Sequence, residues 1–209
     1  MKWKEGQQFE NPPTGSHIAR CYAVIDLGTQ QHSWQGETWG SRDVRISFEM
    51  PLKLMTGKYN PEVKGKPFSI HLTVKQSLHS KAKLRPMLEG WRGRKFTKEE
   101  LAGFDPKNLT GKPCRLALVE DGEYVNISSI SPLGEGETCP PQVNPSVYLS
   151  LNDGEFDGAV FATLHDKTKE KIGKSPEYAA LFADPSPGDQ SDNDADASAS
   201  SQQESEIPF

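Results

Sequence analysis

Cysteine is scarce in this chain. Cys21, Cys114 and Cys139 are too few and too far apart for a disulfide framework, or for the closely spaced pairs of a zinc site. Cys21 and Cys114 fall in strand-like runs, where a thiol serves as a small core residue. The five histidines, His17, His32, His71, His79 and His165, are equally dispersed, so neither metal nor cofactor is expected. Long apolar runs are missing as well. No stretch approaches the length of a membrane span, and the first seven residues lack the apolar core of a signal peptide. These absences predict a cytoplasmic protein with no membrane association.

Catalytic signatures are also absent. The Gly-Lys pairs at 57, 65, 111 and 173 have no Gly five residues upstream, so none is a phosphate-binding loop. Gly134-Glu135-Gly136 is a lone fragment of a dinucleotide fingerprint, and there is no nucleophile elbow or His-Glu-x-x-His. Acidic residues able to hold Mg²⁺ occur at Asp26, Glu49, Asp121 and Glu123, but they follow no metal-binding spacing, and Asp121 is better explained by a turn. The expectation is a non-enzymatic protein.

Charge is present and unevenly placed. The formal net charge is -5, yet residues 1–119 hold 20 of the 24 Lys and Arg against 11 of the 29 Asp and Glu. The excess is densest between Lys53 and Arg115, with 15 basic residues against 5 acidic. A basic body followed by an acidic remainder points to a polyanion as partner.

Along the chain, residues 1–14 read as a loose lead-in. Period-two alternation marks strands at Gly15 to Leu27 (Ala19, Cys21, Ala23, Ile25 and Leu27 on one face), Arg42 to Met50, and Phe68 to Lys75. Residues 28–41 read as a polar loop carrying Trp34 and Trp39. Leu84, Met87 and Leu88 set a helical period over Ser80 to Glu89, with Pro86 as a blemish. Thr97-Lys98-Glu99-Glu100 is a capping box opening a second short helix. Strands resume at Pro113 to Glu120 and Tyr124 to Ile130, joined at Asp121-Gly122. The predicted organisation is an all-β core at 15–131, a Gly/Pro linker at 132–147, a helical extension at 148–182 and a disordered acidic tail at 183–209. Strand-strand-strand-helix-strand-strand is the order of the five-stranded oligonucleotide-binding (OB) Greek-key barrel, with a helix inserted between strands three and four.

Single strands are held by cations that track phosphates and by aromatic faces on which bases stack. The residues expected to do this are Trp34 and Trp39, Arg42 and Arg45 on strand two, and Tyr59 with Lys64 and Lys66 in the next loop. His71 and Lys75 follow on strand three, then Lys81, Lys83, Arg85, Trp91, Arg92, Arg94 and Lys95 in an interleaved basic and aromatic segment. Trp91 has an alternative place as a plug for the barrel bottom. Tyr22 and Tyr124 point outward on their strands and are further stacking candidates.

Alanine is the only apolar residue type from Asp184 to Gln203, and the tail has seven Asp and Glu but no Lys or Arg after Phe182. Such a segment buries too little surface to offset its ordering entropy. It ends in Glu204-Ser205-Glu206-Ile207-Pro208-Phe209. This ending resembles the acidic tip of bacterial single-stranded-DNA-binding proteins, a short acidic run followed by Ile-Pro-Phe. The resemblance covers about six residues and departs from the family where Ser205 separates two Glu in place of consecutive Asp. The whole layout is similar to the replication proteins of tailed phages that coat single strands. The resemblance implies single-stranded-DNA binding and protection, and recruitment of replication or recombination proteins. Phe209, Pro208 and Ile207 would dock in a partner's pocket, supported by Glu204 and Glu206. A metal-dependent nuclease or resolvase and a protein–protein adaptor remain as other readings.

Overall fold

A computed structural model describes residues 9–183. The acidic tail and its tip, Glu204, Glu206, Ile207, Pro208 and Phe209, lie outside the described residues. The fold is mostly β: one six-stranded sheet, predominantly antiparallel, with a few short helices. The strands are β1 (Gly15–Trp34), β2 (Glu37–Leu54), β3 (Pro67–Lys75), β4 (Pro113–Asp121), β5 (Tyr124–Ser131) and β6 (Val147–Leu149). Their order is β3-β2-β1-β4-β5, and β6 pairs in parallel with β1 across Ala23 to Ile25. Among the described residues no hydrogen-bonded ladder joins β3 to β5, so the sheet is open, although these two outer strands approach each other.

The first two strands are far longer than their alternation suggested. Residues 28–41 form a β-hairpin arm and not a loop, closed by the two-residue turn Gln35-Gly36. Both turn residues have positive φ, 49° and 86°, as a type I′ turn requires. A second two-residue turn joins β4 to β5, with Gly122 at φ 63° in its first position.

The single inward row expected for β1 is also corrected. A register shift between Cys21 and Ala23 reverses the alternation. Ala19, Cys21 and Val24 join a main core with Phe48, Met50, Leu116 and Leu118, whereas Ala23, Ile25 and Leu27 face a second core. That second core is built by Leu149 and Leu151 with the C-terminal helices α3 (Gly158–Thr163), α4 (Asp166–Gly173) and α5 (Pro176–Ala180). Each of these helices starts on a side-chain cap, Asp157, His165 and Ser175 respectively.

Helix α1 (Leu84–Arg92) begins four residues later than its periodicity suggested, which puts Pro86 in the first turn, where no intrahelical N–H is lost. Its apolar face, Leu84, Leu88 and Trp91, closes one end of the main core. The approach is close: a Cβ at Gly90 would stand 2.9 Å from the Ile130 carbonyl of β5. Helix α2 (Lys98–Ala102) carries both halves of the capping box, Thr97 and Glu100.

Residues 132–147 are largely irregular, as their composition suggested, but they are tied to the sheet. Glu49, with no exposed surface, accepts hydrogen bonds from the backbone N–H groups of Val143 and Asn144, each at 2.7 Å. Arg20 donates to the Gly111, Cys139 and Pro140 carbonyls, and Arg115 pairs with Glu137. The lead-in is anchored too, by Glu10 accepting from Thr56 and Asn11 donating to the Glu123 carbonyl. No helix among the described residues is long and apolar enough to cross a membrane.

Candidate functional site

The hairpin arm organises the most distinctive surface. Its rungs pair His32 with Trp39 and Trp34 with Glu37, so His32, Trp34 and Trp39 share one face. The His32 and Trp39 rings stack, with centroids 5.8 Å apart and planes 21° from parallel. His32 Nε2 lies 3.0 Å from Asp43 Oδ2, a nearly buried carboxylate that also accepts from Ser41 Oγ. Trp34 is 69% exposed and Trp39 47%, so both rings offer free faces.

At the arm's base lies an open cleft of about 540 Å³. Trp39, Ser41 and Asp43 line one side, Thr73 and Lys75 the floor, and Lys81, Lys83 and Lys171 the rim. None of these four lysines forms an ion pair among the described residues. Two other depressions carry the opposite charge. One is lined by Asp26, Asp105 and Glu155, the other by Asp105, Glu155 and Asp157 with a single lysine, Lys107.

The arginines are placed differently from the lysines. Arg42 is bound to the buried Asp26 carboxylate and to Asn152 Oδ1. Its hydrogen bond and charge interaction with Asp26 raise its pKa further. Arg85 pairs with Glu89 at 3.0 Å. Arg92 and Arg94 share Glu100, and Arg92 also lies over the Phe96 ring at 4.2 Å. These four cations are held by carboxylates, whereas Lys95, like Lys81 and Lys83, is exposed and forms no ion pair among the described residues. Trp91 is 6% exposed, donates from Nε1 to the Pro113 carbonyl at 2.8 Å and packs edge-on against Phe48. Its ring is the core plug and offers no stacking face.

Arg45 stands between these groups. It is half-buried under α4, donating to Thr168 Oγ1 at 2.9 Å, while its buried Nε has no hydrogen-bond partner among the described residues. Burial lowers its pKa, though not far enough to threaten the charge of a guanidinium. His71 and Thr73 follow on the same face of β3, opposite Ser47 and Arg45. Crowding by surrounding chain pushes the His71 imidazole below its ordinary pKa, and the Arg45 and Lys171 charges add to the effect. Lys64, Lys66 and Tyr59 lie in the loop beyond the far end of β3, about 25 Å from Lys75 at the rise of a strand. Lys58 covers the Tyr59 ring at 4.8 Å.

The structure thus brings together Trp39, Lys75, Lys81 and Lys83, sets Trp34 on the same face nearer the arm's tip, strings His71 along the adjoining strand, and sets Tyr59, Lys64 and Lys66 apart. Two members of the cleft had no reading from sequence. His32 was detectable, because it stands opposite Trp39 across the Gln35-Gly36 turn. Lys171 was not, because only tertiary docking carries α4 to the rim. Among the described residues no group of three or more His, Cys, Asp or Glu is arranged to hold a metal. In comparisons with known proteins, no family model, no curated protein and no solved structure matches this chain.

Proposed function

We propose that this chain binds single-stranded DNA without sequence preference, as a non-enzymatic protein of DNA replication or recombination. The observation that carries the proposal is the cleft, where the exposed Trp39 indole stands beside four lysines that form no ion pair among the described residues, with Trp34 further along the same face of the arm. That combination matches the two demands of single-strand binding, stacking and phosphate neutralisation.

The sheet supports an oligonucleotide-binding barrel as the architecture. β1 lies between β2 and β4, β3 and β5 occupy the free edges and approach each other, and α1 fills the connection between β3 and β4. That order is compatible with a partly open barrel of that class, in which the β1–β2 connection and the β2–β3 face would grip the ligand. The Trp-bearing arm is that connection, and Thr73 and Lys75 belong to that face. The C-terminal tip, Ile207-Pro208-Phe209 with Glu204 and Glu206, would recruit replication or recombination partners in a pocket that takes an aromatic ring and its carboxylate.

Titration of fluorescently labelled 30-mers as single-stranded DNA, duplex DNA and RNA tests the reading. Preferential binding of single strands with quenching of intrinsic tryptophan fluorescence is the expected result. Absent binding of all three would leave the chain a protein–protein adaptor, and equal binding of all three would refute the preference for single strands.

A further inference from the structure

The C-terminal helices would be an appendage if they only covered the back of the sheet. Their docking is instead specific and directed at the cleft. Glu177 of α5 accepts hydrogen bonds from the Thr29 backbone N–H at 2.7 Å and from Thr29 Oγ1 at 2.6 Å. Gln30 donates to the Lys171 carbonyl at 3.2 Å, and Ser175 fills the space beside Gly28 so tightly that a Cβ there would collide with it. All of these contacts fall on the base of the hairpin arm. They hold α4 so that Lys171 reaches the rim of the cleft, together with Lys81 and Lys83.

Around the cleft four lysines, Lys75, Lys81, Lys83 and Lys171, outnumber the one lining carboxylate, Asp43, which lies 3.0 Å from His32 Nε2. Arg45 has one guanidinium nitrogen satisfied by Thr168 of α4 and another, Nε, buried without a partner among the described residues. Its rung partner Thr73 forms the cleft floor, and Lys171 is near enough, with Arg45, to depress the His71 pKa. Lys171 forms no ion pair among the described residues, so a phosphate oxygen at the rim would meet an unopposed ammonium, with the nearby Arg45 charge adding to the positive field.

Resting on the proposed binding of single strands, we propose that α4 forms the second wall of the nucleic-acid cleft and that Lys171 seats a backbone phosphodiester, the Arg45 charge adding to the local positive field. The strand runs between the arm, which stacks bases on Trp34 and Trp39, and the C-terminal helix, which takes the phosphate. The helical extension is thereby part of the binding site.

The test compares full-length wild type with Lys171→Ala, Lys171→Arg and Lys174→Ala, titrating a 30-mer single strand at 0.05 and 0.2 M salt. Lys174 is a control on the same helix, exposed and already paired with Glu170 at 2.7 Å. Each phosphate contact on a single strand contributes about 0.7 to the salt slope. Lys171→Ala should therefore weaken binding about eightfold at 0.05 M and about threefold at 0.2 M, with the slope reduced by about 0.7. Lys171→Arg should restore most of the affinity, and Lys174→Ala should behave as wild type. If wild type binds but Lys171→Ala matches it in affinity and slope, the second wall is refuted and the binding proposal survives. Failure of wild type itself to bind would refute both.

Discussion

Arg42 and Lys75 stand on neighbouring strands, carry the same charge and were equal candidates by sequence, yet the fold uses them differently. Arg42 is bound to a nearly buried carboxylate, so truncating it leaves Asp26 with only the Gly28 and Leu151 backbone N–H groups, a change that belongs to stability. Arg42→Ala is expected to cost about 1–3 kcal/mol of folding stability, measured by denaturant unfolding. Lys75→Ala should leave unfolding unchanged and weaken single-strand binding. At the aromatic positions, Trp39→Ala should cost about 1–3 kcal/mol of binding, and the double change with Trp34→Ala up to twice that if the stacks add. Full affinity in a double variant that still unfolds cooperatively would assign these rings to another role. Glu100 gives the pH counterpart. Arg94, the Thr97 backbone N–H and Arg92 hold its carboxyl down to about 2. A folded-state value below the ordinary one means that ionisation favours the fold, fully above the ordinary value of 4.5 and less as pH falls towards 2. Glu100→Gln, which keeps the capping geometry, should therefore lower Tm at pH 7 and make little difference near pH 2, as thermal unfolding at the two pH values would show.

The type of most elements was legible in the sequence, because β2 and β3 alternate cleanly and Thr97 announces a helix start through its capping box. Extent and facing were not. Alternation tells which residues share a face but not how many faces are covered. Arg45, Ser47 and Glu49 read as solvent-facing on β2, although the C-terminal segment lies over that row and buries Ser47 and Glu49. The register shift at Cys21/Ala23 sends Ile25 and Leu27 to the second core without changing composition, so no sequence pattern reports it. The arm was hidden because its residues are polar: a two-stranded ribbon in solvent needs no apolar row, and only the Gln35-Gly36 turn marks it. The same docking makes Gly28 a sensitive position. It combines a positive φ of 68° with contact against Ser175, so Gly28→Ala is both strained and overpacked. The expected cost is about 1–3 kcal/mol, concentrated in the C-terminal helices. Amide exchange should show α4 and α5 losing protection while β4 and β5 keep theirs, and a uniform loss across the sheet would argue against this local account.

At the scale of the whole molecule, the basic body and the acidic tail divide the proposed work between two partners. Removing residues 184–209 deletes seven carboxylates and no cation, so single-strand affinity should hold or rise, most visibly at low salt where screening is weakest. Deleting Phe209 alone keeps every acidic side chain and removes the aromatic anchor. DNA affinity should then barely move, while capture of replication partners falls by about 2 kcal/mol or more, roughly thirtyfold. A pull-down comparing the two chains reads this directly, and undiminished capture would make the tail a solubilising segment. The binding account itself rests on lysines that meet phosphates. The most direct measurement is the affinity of the full chain for a single-stranded 30-mer across a salt series. With the four cleft lysines engaged, log affinity should fall against log salt with a slope near -3, about 0.7 for each phosphate neutralised. An affinity indifferent to salt would contradict the phosphate-binding cleft.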